Sequence, residues 1–357
     1  MTVVIFLIVL AILIFVHELG HFLIARACGI RVDAFAIGFG PKLIKKTVGE
    51  VTYSLNLIPF GGYVKIFGEN PDDESIKGPD IARSFVHKPK WKQVAVLFAG
   101  IFFNFLFAWL LITIAFTFGA PTSVDSYPEY SDRMTNQQIT LVGVSKNSPA
   151  EAAGLKLGDQ IIASSIDEIK SNINNSKTNG VEINYIRDGV TSKTTVIAKE
   201  GIVAGKYAIG IAMDNAATLK LPFFISIYEG LRLTIHTIGA TVVGIINLIG
   251  GAFVGTSSFD DVSGPVGIAG MIGDAARLGF LYLVMFMAII SINLGVLNFI
   301  PFPALDGGRI FFVLIEAVIR RPIKPTVANL VNLIGFGLLV LLMIFITGKE
   351  ILGLFVK

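Results

Sequence analysis

The stretch VVIFLIVLAILIFVHELGHFLI, residues 3–24, decides how the rest of the chain is read. Its first fourteen residues carry no polar side chain, and two histidines and a glutamate then arrive within five positions. As a helix, about 20 apolar residues cross roughly 30 Å of hydrocarbon. Ionisable groups in such a helix are costly and mark functional sites. Residues four apart share a helix face, so His17 and His21 can reach one metal ion while Glu18 sits one step round. In an H-E-x-x-H pattern that glutamate is placed to take a proton from a water the metal activates. A lone histidine would read as a satisfied core residue. This grouping reads as a zinc site, with one zinc ion expected.

Composition supports a membrane setting. Of 357 residues, 53% are hydrophobic and 15% charged, against about 25% charged in soluble domains. A net charge of +3 with no basic run gives no sign of a nucleic-acid partner. The single cysteine, Cys28, excludes an internal disulfide and reads as a small buried apolar residue. The N-terminus has neither a basic leader nor a cleavage site after its apolar core, so it is expected to stay as a membrane helix.

Confident spans fall at about 2–25, 93–118, 280–300 and 327–347. The fold class expected is therefore a polytopic α-helical membrane protein with about four transmembrane helices. The region 222–255 is apolar but carries Glu229, Arg232 and His236. Lysines and arginines crowd the loops 26–92 and 301–326, which places both on the cytoplasmic side. Residues 120–220 balance acid against base and are expected outside. Period-two stretches there, such as VEINYIRDG and TSKTTVIAKE, predict short strands in one domain. Within it, SPAEAAGLKLGDQIIA (148–163) predicts a short helix between strands and a Gly-Asp turn.

Catalytic zinc takes three protein ligands and keeps one position open. The stretch NFIPFPALDGGR, residues 298–309, offers Asp306 at the cytoplasmic end of the third span. By itself Asp306 would read as a helix cap. Beside a helix short of one ligand, it reads as the third ligand. His17, His21 and Asp306 meet only if they lie on one side of the membrane. That geometry implies that 222–255 does not cross singly and forms peripheral or interfacial helices, with His236 and His87 not ligands. Pro301 and Pro303 break the helix, and irregular backbone at membrane depth must line a wet cavity or be buried in protein. Asn298 is placed to bond a substrate backbone or an oxyanion. In YSLNLIPFGGYVKIFGE, residues 53–69, two alternating runs joined at Pro59 and Gly61-Gly62 predict a membrane-dipping β-hairpin. A helical substrate must be unwound before it is cut, and a strand edge can hold it by pairing. Gly62, Tyr63 and Val64 are therefore candidate substrate-holding residues.

HELGH in the first span, GGYVK in a membrane-dipping loop, the SPAEAAGLKLGD segment and NFIPFPALDGG together resemble the site-2 protease family, bacterial intramembrane zinc metalloproteases. The resemblance covers nearly the whole chain. It implies zinc held by His17, His21 and Asp306, Glu18 as the residue that activates water, and Asn298, Pro301 and Pro303 in a substrate-contacting segment. It also implies an inserted PDZ-like domain, where strand addition at a sheet edge would bind extended peptide tails. Substrates would be single-span proteins in the bilayer, of the anti-sigma-factor or remnant-signal-peptide type, and the location the bacterial inner membrane. Family members often carry two PDZ domains, and this insert has room for one. The expected organisation is 1–120 for the N-terminal membrane domain, 121–217 for the PDZ-like domain, 218–278 for peripheral helices and 279–357 for the C-terminal membrane domain. Two other readings compete: a membrane-anchored PDZ adaptor whose zinc is structural, and a metal transporter. An intact glutamate argues against the first, and confinement of the cluster to one helix plus Asp306 argues against the second.

Overall fold

The computed structural model describes residues 1–145, 147–176, 179–187, 189–203, 206–255 and 263–355. The chain opens with α1 (Thr2–Ala27), β1 (Val32–Val48), β2 (Val51–Ile66), a short α2 (Asp73–Lys77) and α3 (Lys90–Phe118). The β-rich insert follows: β3 (Ala120–Ser123), β4 (Met134–Val144), α4 (Pro149–Ala152), β5 (Gln160–Ile161), α5 (Ile166–Ser176), β6 (Val181–Arg187), β7 (Val190–Val196), β8 (Lys199–Val203), β9 (Lys206–Ala208) and β10 (Ile211–Leu219). Five helices close the chain: α6 (Phe223–Val254), α7 (Pro265–Leu278), α8 (Phe280–Phe299), α9 (Asp306–Ile319) and α10 (Pro325–Phe355). Two compact units result. One comprises Met1–Thr113, Ile227–Arg277 and Leu283–Lys357; the other comprises Ile114–Ser226 and Leu278–Tyr282.

In the first unit α1 runs unbroken through the HELGH motif and stops at Gly29, whose φ is +70°. Gly29 N–H reaches Arg26 O and Ile30 N–H reaches Ala25 O, a double closure that left-handed glycine permits. Among the described residues five helices are long and apolar enough to cross a membrane: α1, α3, α8, Phe223–Ala252 of α6 and Thr326–Leu352 of α10. Their outer faces are apolar, as at Val3, Val4 and Ile8 of α1 and Leu333, Ile334 and Leu341 of α10. A soluble protein rarely shows apolar patches of that extent.

Four of these helices are the expected spans, and α6 is a fifth helix that meets the same length and apolarity. Residues 222–255 form one continuous 32-residue helix. Of its polar groups, Glu229 and Arg232 lie within the first ten residues and His236 further along. Glu229 is buried and paired with Arg232 at 3.3 Å, so its burial is compensated. Further along, Thr241 donates to Asn293 of α8. The link from α6 to α7 includes residues 256–262, which lie outside the described residues.

The sheet within the 26–92 loop also differs from expectation. The two alternating runs around Pro59 do not pair with each other. Both flank the start of β1: Phe35 lies beside Val64 on one side and beside Tyr53 on the other. Ala34–Ile37 runs beside Thr52–Leu55 with residue numbers rising together, while Val32–Ile37 opposes Gly62–Ile66. The turn that folds β1 back on itself uses Gly38 and Gly40, with φ of +82° and +84°. Asn56, buried, donates to Gly38 O at 2.8 Å and fixes that turn. Residues 62–66 are left on the outside of this sheet, and no described strand pairs their free edge.

The second unit holds a six-stranded sheet in the order β3-β10-β4-β5-β6-β7. Its core joins Leu141, Ile183 and Val196 to Ile169 and Ile173 of the amphipathic α5. The predicted helix in SPAEAAGLKLGD is α4, capped by Ser148 Oγ accepting from Glu151 N–H. Asp159 of the Gly-Asp turn is buried and accepts from Arg187 Nε and Nη2, at 2.7 and 2.6 Å.

Candidate metal centre

Three elements deliver the centre. α1 supplies His17 and His21 one turn apart. α3 crosses α1 where glycine faces it: a Cβ on Gly100 would lie 2.3 Å from His21 Nε2 and 2.7 Å from His17 Cε1. The imidazoles occupy the space that any other residue at 100 would fill. α9 supplies Asp306 from its first position. The N-cap position belongs to Leu305 and Asp306 is the first helical residue, so Asp306 does not occupy the capping position. The helix can begin there because Gly307 lies against the backbone, where a Cβ would meet Ile300 O at 2.3 Å. Pro303 is packed under Gly335 of α10, and Ala304 N–H donates to Asn332. These contacts fix the irregular turn that aims Asp306.

His17 Nε2 and His21 Nε2 lie 3.1 and 3.3 Å from Asp306 Oδ2 and 3.2 Å from each other. Tetrahedral zinc with bonds of about 2.0–2.2 Å sets its ligand atoms about 3.3–3.5 Å apart. The three atoms therefore form a face of the right size. Their protonation also fits. His21 Nδ1 donates to Val96 O at 2.8 Å, so its Nε2 carries a bare lone pair. Asp306 Oδ2 is buried with no hydrogen-bond donor. Lone pairs converging on one point repel unless a cation sits between them. His17, His21 and Asp306 are the group among the described residues that can hold a metal ion in this way.

His17 Nδ1 faces the side-chain amide of Asn104 at 3.1 Å. Asn104 is fully buried, its Oδ1 has no partner, and its backbone carbonyl accepts from Ser291 Oγ at 2.8 Å. Turning the amide over lets Oδ1 accept from His17 Nδ1–H, which satisfies both groups and frees Nε2 for metal. Sequence reading missed Asn104. Its signal was present, as the one amide in the apolar run VAVLFAGIFFNFLFAWLLI of α3. Outer partners of metal-bound histidine are worth about 10–100-fold in affinity. Asn104→Ala should weaken zinc by that factor, whereas Asn104→Asp, which keeps an acceptor, should weaken it less; competition with a chromophoric chelator measures both.

Glu18 is half-buried and lines the same cavity, of about 570 Å³, with His17, His21 and Asp306. Gly62, Tyr63 and Val64 form one wall of it. Gly62 packs against α1, where a Cβ would come within 2.9 Å of Ile14 and 3.5 Å of Glu18 Cγ. Ala304 belongs to the lining, while Asn298, Pro301 and Pro303 are not among its residues. Ala304 adopts φ +75°, a strained value for a residue with a side chain. Arg309, bonded to Glu69, closes the far side. Polar side chains such as Asp33, Glu69 and Arg309 line the cavity beside the three converging atoms. His87 and His236 are not part of the cluster.

Apolar helices of spanning length, an H-E-x-x-H pair completed by a carboxylate, and a polar-lined cavity beside them define a membrane-embedded metallopeptidase class. The chain belongs to peptidase family M50, the site-2 protease family, whose model matches residues 5–342. It is 36% identical over 348 residues to a Clostridium perfringens protein named “Putative zinc metalloprotease”, covering 95% of each chain. A Clostridium acetobutylicum protein of the same designation is 33% identical, covering 98% of this chain and 97% of its own. A Staphylococcus aureus one is 29% identical, covering 98% of both.

Proposed function

We propose that the chain is an intramembrane zinc endopeptidase that cuts single-span membrane proteins within or near their spanning helix. The observation that carries this reading is the triangle of His17, His21 and Asp306 with Glu18 beside it in one cavity. One zinc ion per chain is held by those three residues. When bound, zinc supplies Lewis-acid polarisation of water and of the scissile carbonyl. Glu18 takes the proton of the attacking water and returns it to the leaving amine. The free edge of Gly62–Ile66 receives the unwound substrate as an added strand, so that Gly62, Tyr63 and Val64 hold its backbone against the metal. Asn298, half-buried in the last turn of α8, is the proposed contact to the substrate carbonyl. Pro301 and Pro303 act by shaping the turn that presents Asp306.

The basic loops 26–92 and 301–326 put the centre near the cytoplasmic face of a bacterial inner membrane, with the β-rich insert outside. That insert serves as a PDZ-like module for extended peptide tails, and the substrates are of the anti-sigma-factor or remnant-signal-peptide type. A zinc-bearing adaptor would need no base, so Glu18 favours the peptidase. The test is cleavage of a single-span reporter by the purified chain in lipid bilayers. Cleavage should stop with a zinc chelator and return on adding zinc. Cleavage that persists in the metal-free chain rejects the reading.

A further inference from the structure

A second cavity, of about 790 Å³, lies where α3 and α10 begin, with one face of α9 along it. Its deeper wall is apolar, formed by Phe85, Leu97, Phe312 and Val313. Two of its cations are already neutralised: Lys90 by Glu316 at 2.6 Å, and Arg309 by Glu69. Arg320, Arg321 and Lys324 are exposed at the mouth, and no acid among the described residues pairs with them. Arg320 closes α9 in the left-handed conformation, with φ +53°, a place that glycine normally takes. The chain tolerates that strain and keeps a cationic side chain there. Trp91, exposed in the first turn of α3, marks the same level as a membrane interface.

An apolar hole with unpaired cations at its mouth, set at the ends of two spanning helices, matches one ligand chemistry. We infer that this cavity binds an anionic glycerophospholipid, its phosphate on Arg320, Arg321 and Lys324 and its acyl chain against Phe312 and Leu97. Basic pockets between membrane helices recognise such headgroups electrostatically. A free phosphate would satisfy the cations and leave the apolar wall uncovered. A zwitterionic lipid would cover the wall and leave net positive charge. The cavity shares Glu69, Asn70 and Arg309 with the metal-centre cavity but is lined by none of His17, Glu18, His21 and Asp306, and the inference does not depend on the peptidase reading.

Native mass spectrometry of the full chain, delipidated in detergent and titrated with phosphatidylglycerol or phosphatidylcholine, tests it. Phosphatidylglycerol should bind at least tenfold more tightly than phosphatidylcholine. The triple variant R320Q/R321Q/K324Q should lose at least tenfold of that affinity. Ala317→Trp, which fills the cavity and leaves the three cations, should lose a similar factor. Equal binding of the two lipids, or a triple variant that binds phosphatidylglycerol like the parent, overturns the inference. So does unchanged binding by Ala317→Trp, which would mean diffuse surface attraction. Displacement of the lipid by equimolar glycerol 3-phosphate would reassign the site to a soluble phosphate. Should the triple variant lose its helical circular-dichroism spectrum, Ala317→Trp decides alone.

Discussion

Glu18→Gln should leave zinc bound and cut peptide cleavage by about 10²–10⁴-fold, the range a positioned general acid–base group contributes. Glu18 is not one of the three residues whose donor atoms converge, so metal affinity does not need its charge. Glutamine has nearly the same shape, and the neighbouring strand has little slack: the Cβ position of Gly62 is 3.5 Å from Glu18 Cγ. Packing is therefore preserved, and the change removes only the ability to accept and return a proton. Zinc content per chain and reporter cleavage, measured on the same preparation, separate the two effects. Full cleavage by the variant, or zinc lost along with activity, would remove Glu18 from its assigned role.

Much of the centre was legible because its signals are local or scarce. H-E-x-x-H is a helical pattern within five residues, and a glutamate and two histidines in an apolar run have no other use. Asp306 stood out as the acid at the end of the third span, next to glycines that let a helix start against the preceding backbone. The parts that were not legible depend on long-range packing. Asn104 and Gly100 matter because α3 crosses α1 at one level, and nothing within α3 announces that level. The sheet was misread because strand partners are chosen in three dimensions: the runs on either side of Pro59 look like a hairpin, yet residues 32–37 lie between them. The continuity of α6 was missed for a similar reason. Glu229 and Arg232 look prohibitive in a long apolar helix until they are seen paired with each other. Charge alone does not reveal its compensation.

Asp306→Ala should weaken zinc by about 10²–10³-fold while leaving the helices in place. Complete four-ligand zinc sites are worth about 10–16 kcal/mol, so a single ligand carries roughly 3 kcal/mol, about two orders of magnitude in affinity. The loss should not come from unfolding. Asp306 makes no helix cap, and the turn around it is held independently by Pro303 under Gly335 and by the Ala304–Asn332 bond. Removing the carboxylate also relieves the convergence of lone pairs, so the metal-free variant should melt at the temperature of the metal-free parent or above it. That sign distinguishes a ligand from a structural residue, whose removal would lower the metal-free midpoint. Isothermal titration with zinc and thermal melts with and without chelator supply the measurements. Unchanged zinc affinity would mean that the carboxylate, 3.1 and 3.3 Å from the two imidazole nitrogens, is merely their hydrogen-bond acceptor.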